Sequence, residues 1–188
     1  MSIIEETARI IEGLRNGDST AQERFLRQFA PRIFQFVVRM ASHEQDAEEL
    51  TQDTLLRAMQ QIQRFDPVQS TLQTWISRIA YRLTLNHLRN RGITFQSIDE
   101  NITALTATEE AAMSQAFAEA DDSRTELLQQ ALDQLAPDEQ TLINLFYYDD
   151  LPLKEIGYII DAPPGTIATR LHRIRRKLYY LILKLQQQ

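Results

Sequence analysis

The sequence predicts an all-α protein: two small helical domains, an N-terminal helical bundle and a C-terminal four-helix domain with a helix-turn-helix, joined by a flexible acidic linker. Three observations point there. Apolar residues recur at spacings of three and four through nearly every long segment, the mark of amphipathic helices. Gly, Pro, Asp and Ser interrupt those segments where helices should start and stop. Residues 92–122 depart from the pattern, with 7 acidic side chains and no Lys or Arg. The expected boundaries are therefore 1–91, 92–122 and 123–188.

The N-terminal domain opens with a helix from Ile3 to Leu14, its apolar side built from Ile3, Ile4, Ile10, Ile11 and Leu14. Gly17-Asp18-Ser19 stops it, and Asp18 or Ser19 is placed to cap the next helix. That second helix carries Phe25, Leu26, Phe29, Ile33, Phe34, Phe36, Val37, Val38 and Met40, a core-forming set that Pro31 either kinks or divides. A third helix runs from Asp46, read as its cap, to Ile62. It turns Ala47, Leu50, Thr54, Leu55, Ala58, Met59 and Ile62 inward and leaves Glu44, Glu48, Glu49, Gln52 and Asp53 outside. Such an acidic face is either solvated or a docking surface for a basic partner.

Asp66-Pro67 breaks the third helix, and Thr71 starts a fourth with the inner stripe Leu72, Trp75, Ile76, Ile79, Ala80, Leu83 and Leu88. Trp75 is expected to anchor the core. No acidic residue lies between Asp66 and Asp99, whereas Arg78, Arg82, Asn86, Arg89 and Arg91 line the polar side. Arginines and amides beside a loop suit the backbone of single-stranded nucleic acid.

Gly92–Asp122 holds too little apolar surface to offset the entropy of ordering it, so a linker with a short helix near Glu109–Glu119 is expected. It also accounts for the net charge of −6. Residues 1–91 carry 12 basic and 11 acidic side chains, and residues 123–188 carry 8 of each. The domains on either side are thus nearly neutral, and their basic faces are what a phosphate backbone senses within a Debye length of about 8–10 Å. In the free protein the linker's Asp99, Glu100, Glu109, Glu110 and Glu119 are expected to repel DNA.

Helical pattern resumes at Ser123 with Leu127, Leu128, Ala131, Leu132 and Leu135, and Pro137 opens a further helix through Leu142, Ile143, Leu145 and Phe146. Beyond Tyr147–Asp150 come a short apolar helix, Leu153–Ile160, a turn with two prolines, Asp161–Pro164, and a longer basic helix from Gly165–Thr166 onward. On the last helix Ile167, Leu171, Ile174 and Leu178 form one stripe. Thr169, His172, Arg173 and Arg176 point away from it, with Thr166, Arg170 and Lys177 on one shoulder. A short helix, a sharp turn and a basic outward face suit insertion into the major groove of DNA.

Composition removes other classes. There is no Cys, hence no disulfide, thiolate metal site or Cys nucleophile. No apolar run approaches the roughly 20 residues that span a bilayer, and the acidic N-terminus lacks a signal pattern; a soluble, cytoplasmic chain with no membrane insertion is expected. Di-iron bundles use Glu-x-x-His, but the residues three before His43, His87 and His172 are Met40, Thr84 and Thr169. No Gly-rich phosphate loop is present. The expectation is a non-enzyme with no catalytic residues, metal or cofactor.

With these pieces in order, the chain resembles an extracytoplasmic-function sigma factor of bacterial RNA polymerase. DAEELTQDTLLRA (Asp46–Ala58) is similar to the family's polymerase-docking helix, and FDPVQSTLQTWISRIAYRLTLNHLR (Phe65–Arg89) to its promoter-melting segment, with Leu72 at a position usually aromatic. LDQLAPDEQTLINLFYYDDLPLKEIG (Leu132–Gly157) and PGTIATRLHRIRRKL (Pro164–Leu178) resemble its C-terminal domain and recognition helix. Ala168 stands where a longer polar side chain is common, and Gly157 where alanine is usual.

The resemblance implies a division of labour. Asp46, Glu48, Glu49, Gln52, Asp53 and Arg57 would meet the clamp helices of the polymerase largest subunit, with the flap region as a second contact. Arg64, Phe65, Asp66 and Ser70 would capture an extruded base of the minus-10 element, and Arg78, Arg82, Asn86 and Arg89 would hold the unwound strand. Thr169, His172 and Arg173 would read the minus-35 duplex, with Thr166 beside them and Arg170, Arg176 and Lys154 toward phosphates. The implied partners are core RNA polymerase, promoter DNA and an anti-sigma factor. A helix-turn-helix regulator that never meets polymerase is the alternative; it explains the C-terminal domain and leaves Asp46–Arg91 without a role.

Overall fold

A computed structural model describes residues 3–41, 43–92 and 122–186, and among them every regular element is helical. The expected linker helix near Glu109–Glu119 and the linker acids Asp99–Glu119 lie outside the described residues.

Helix α1 (Ile3–Arg15) ends where Gly17 takes φ +74°, a left-handed conformation nearly free of strain only for glycine. The Gly17 N–H then reaches Leu14 O (3.2 Å) and the Asp18 N–H reaches Gly13 O (2.9 Å), which satisfies the last carbonyls in a Schellman turn. Asp18 is also the cap of α2 (Ser19–Val38), accepting from the Thr20 N–H at 2.9 Å. A Cβ added at Gly13 would lie 2.4 Å from Ala21 Cβ, so the missing side chain lets α1 and α2 meet at this corner.

Pro31 does not divide α2. The helix runs through it because Phe29 and Ile33 on either side are buried while Pro31 itself is exposed. The rings of Phe25 and Phe29 meet at 5.1 Å, tilted by 40°, and α2 packs on α1, α3 and α4. Helix α3 spans Glu44–Gln60, so Asp46 lies within its first turn and is not its cap; His43 holds that place without a side-chain bond. A short 3-10 turn (Ile62–Arg64) leads to the loop before α4 (Leu72–Asn90), whose cap is Thr71, accepting from the Thr74 N–H at 3.1 Å. Thr51 and Thr54 are buried because each hydroxyl donates to the carbonyl four residues back, Ala47 and Leu50 respectively, at 2.6 Å.

The remaining helices are α5 (Asp122–Asp133), α6 (Pro137–Ile143), α7 (Leu153–Ile160) and α8 (Pro164–Leu185). One compact unit holds α1–α4 and α7; the other holds α5, α6 and α8. Helix α7, adjacent in sequence to the C-terminal helices, packs on α4 of the first unit. It ends at Asp161, which adopts φ +64°, while the Ala162 N–H closes on Gly157 O at 3.0 Å.

In the second unit Pro137 begins α6 with its fixed φ. Ala136 precedes it and has no capping oxygen; the Glu139 carboxylate reaches back to accept the Ala136 N–H at 2.9 Å, which is half of a capping box. The Gln140 amide ties the α5–α6 corner by donating to Leu132 O (3.0 Å) and Leu135 O (3.1 Å). Helix α6 widens into one π-helical turn, Asn144–Tyr148, which the apolar spacing did not signal. The predicted stripe Ile167, Leu171, Ile174 and Leu178 is buried along α8.

Candidate nucleic-acid interface

The loop between the 3-10 turn and α4 is built around the Asp66 carboxylate. Its two oxygens accept from the Val68 N–H (2.9 Å) and the Gln69 side-chain amide (3.1 Å), an Asx-type turn that holds Val68 at the exposed tip. From below, the Arg15 guanidinium donates to Phe65 O at 2.8 Å and the Gln63 amide to Arg15 O at 3.0 Å. The sequence offered no sign of this tether, because its partners stand about 50 residues apart. Phe65 is buried against Trp75, ring centroids 5.4 Å apart, so it supports the loop from the core and does not face outward. Arg64 and Asp66 are exposed, and Ser70 is half-buried.

Along α4 Arg78, Arg82 and Asn86 follow at steps of four and share a face, with Arg89 exposed one turn on. Arg78 and Arg82 are engaged by one carboxylate. Arg78 donates to Asp161 Oδ1 at 2.9 Å and Arg82 to Asp161 Oδ2 at 3.1 Å, and the Arg78 guanidinium lies 4.6 Å over the Tyr158 ring. One turn earlier the Thr74 hydroxyl donates to Glu155 at 2.5 Å. Thr74 is buried although the apolar stripe omitted it; its network with Thr71 and Glu155 satisfies the hydroxyl.

On α3, Glu48, Glu49, Gln52, Asp53 and Arg57 are exposed around Leu56, a large apolar side chain left 51% in solvent. Asp46 stands apart from them: it is mostly buried and pairs with Arg91 just past the end of α4, closing α3 onto α4, with His87 Nε2 3.4 Å from the same carboxylate oxygen.

On α8, Thr166 and Thr169 are exposed, and Arg170, His172, Arg173 and Arg176 are half-buried. Thr169 returns its hydroxyl to Gly165 O at 3.0 Å. Lys177 donates to the buried Glu139 at 2.6 Å. Beside it the Asp138 carboxyl is raised above its usual value by burial; backbone hydrogen bonds and the Arg170 charge pull the other way. Arg170 and Lys177, seven apart on α8, thus face the acidic doublet that opens α6. Lys154 is exposed on α7, in the first unit.

Residues 25–93 match the family model described as Sigma-70 region 2, and residues 125–178 that described as Sigma-70, region 4. The chain is 32% identical over 177 residues to the ECF RNA polymerase sigma factor SigW of Bacillus subtilis, covering 89% of this chain and 92% of that protein. It is 32% identical over 167 residues to the ECF RNA polymerase sigma factor SigE of Mycolicibacterium smegmatis, covering 86% of this chain and 63% of the relative's length. Among solved structures, CnrH in complex with the cytosolic domain of CnrY superposes with a TM-score of 0.64 at 17% identity, over 94% of this chain and 97% of that one. The sigma factor RpoE of Bartonella quintana, in complex with the anti-sigma factor NepR, gives 0.58 at 22% identity, over 85% and 95%. At those identities the likeness is one of fold. Two sigma regions in order and a relative matched along nearly its whole length lead to one assignment: the chain belongs to the extracytoplasmic-function sigma factors of bacterial RNA polymerase.

Proposed function

We propose that this chain binds core RNA polymerase and directs promoter recognition, melting and the start of transcription, with residues 1–91 and 123–188 as its working domains and 92–122 as the acidic strap. The exposed side of α3, Glu48, Glu49, Gln52, Asp53 and Arg57 around Leu56, docks on the clamp helices; Asp46 contributes by fixing α3 to α4. The Asp66 turn presents Arg64 and Ser70 to an extruded minus-10 base, with Phe65 as its floor. Arg78, Arg82, Asn86 and Arg89 hold the opened strand. Thr169, His172 and Arg173 read the minus-35 duplex with Thr166 beside them, while Arg170, Arg176 and Lys154 lie toward phosphates. Catalysis belongs to the polymerase. An anti-sigma factor, such as the NepR bound to the Bartonella quintana RpoE, is the regulator this reading expects. Among the described residues no helix is long and apolar enough to cross a membrane.

The observation that carries the reading is α8 itself. Burial of Ile167, Leu171, Ile174 and Leu178 fixes the helix's rotation, which leaves Thr169, His172 and Arg173 off the core side together. In vitro transcription with core enzyme, followed by start-site mapping on genomic templates, tests it. Defined new start sites are expected; no initiation at any site overturns the assignment.

A further inference from the structure

We propose that Asp161 is a built-in competitor of DNA phosphate for Arg78 and Arg82, so that the free chain partly masks its own strand-binding face. The inference deepens the role proposed above for those arginines. Its first support is geometric. The two guanidiniums sit one helical turn apart on α4, and each takes a different oxygen of one carboxylate, at 2.9 and 3.1 Å. A phosphodiester also offers two anionic oxygens to such a pair, so one site accepts either ligand but not both.

The second support is the backbone. Asp161 adopts φ +64° at the end of α7, the place where glycine avoids the clash that a Cβ creates. Its side chain is 66% exposed, so burial does not explain its presence there. What the strained residue gains is the bond to both arginines. The third support is the seam around it. Glu155, Tyr158 and Asp161, three apart, meet Thr74, Arg78 and Arg82, four apart, and every pairing is polar or cation–π. Exposed pairs of this kind are weak individually. A strand bringing several phosphates can therefore displace the carboxylate without moving α7.

The test uses the full-length chain and fluorescence anisotropy with a mixed-sequence 12-nucleotide single strand at several salt concentrations. Asp161→Gly removes the carboxylate and suits the left-handed backbone, so it folds at least as well as the parent; Asp161→Asn removes only the charge. Both are expected to tighten single-strand binding about 3- to 10-fold and to steepen its salt dependence, as newly freed arginines reach phosphates. Adding Arg78→Gln and Arg82→Gln to Asp161→Gly should abolish the gain. Unchanged affinity in both single variants overturns the proposal, and so does a gain that survives loss of both arginines, since that would reflect net charge alone. Transcription by the parent chain with core enzyme is scored separately. Its failure would remove the sigma role while leaving the competition at Arg78 and Arg82 measurable.

Discussion

Glu139, in the first turn of α6, is 5% exposed and accepts a 2.6 Å bond from Lys177 of α8, so a buried carboxylate fastens α8 to its neighbour. The same carboxylate accepts the Ala136 N–H and so also starts α6. The pair is asymmetric: Glu139 has little access to water, while Lys177 is 38% exposed. Removing the lysine leaves a desolvated charge behind, whereas neutralising the glutamate leaves an ammonium that water can reach. Lys177→Met should cost about 2–4 kcal/mol and Glu139→Gln a smaller loss of about 1–2 kcal/mol, measured by urea unfolding. Equal losses would mean that the pair is not buried as described.

Asp138, next to that pair, yields a prediction in pH. Burial raises its carboxyl above the ordinary value of 3.8, so the folded chain holds this proton more tightly than the unfolded chain. Its contribution to stability is therefore greatest below about pH 4 and declines as pH rises through the raised folded value. Asp138→Asn should gain stability over the parent as pH climbs from 3 to 7. Melting curves showing the same difference at both ends would refute this.

Gly13 should resist replacement. Alanine has the better helix propensity by about 1 kcal/mol, yet its Cβ would stand 2.4 Å from that of Ala21. Overpacking at the α1–α2 corner outweighs the gain, and Gly13→Ala is expected to lose about 1–3 kcal/mol in chemical denaturation.

The acidic residues of α3 should separate into two behaviours. Glu48→Lys or Asp53→Lys is expected to weaken capture of core polymerase at least tenfold while leaving the melting temperature nearly unchanged, because both side chains are exposed. Asp46→Asn should instead lower the melting temperature, since Arg91 loses its charged partner. Loss of polymerase binding in Asp46→Asn without any loss of stability would reverse the division.

Arg173→Ala should weaken binding to a minus-35 duplex by about 1–3 kcal/mol, roughly 5- to 150-fold. Electrophoretic mobility shifts measure it, with a single strand carrying the minus-10 element as control. Equal loss on both ligands would place Arg173 in general electrostatics and not in duplex reading.

Much of the helical framework was legible in the chain, because apolar spacing and caps are local. Leu171 and Leu178 are buried for the reason their spacing gave, and Thr71 caps α4 as its position before Leu72 suggested. Where a local rule conflicted with packing, packing won: Pro31 stays inside α2 because Phe29 and Ile33 are buried across it.

By itself, then, the sequence determined most of the described helices, their inward faces and the family, all of which depend on neighbours within a few turns. Only the tertiary structure decided which charges are free and which are committed. It assigned Asp46 to Arg91, Glu139 to Lys177, Phe65 to the floor under its loop, and Asp161 to both Arg78 and Arg82. Each of those pairings joins residues 10 to 83 positions apart. An ion pair needs its partners within about 4 Å in space, and no periodicity along a chain encodes that distance.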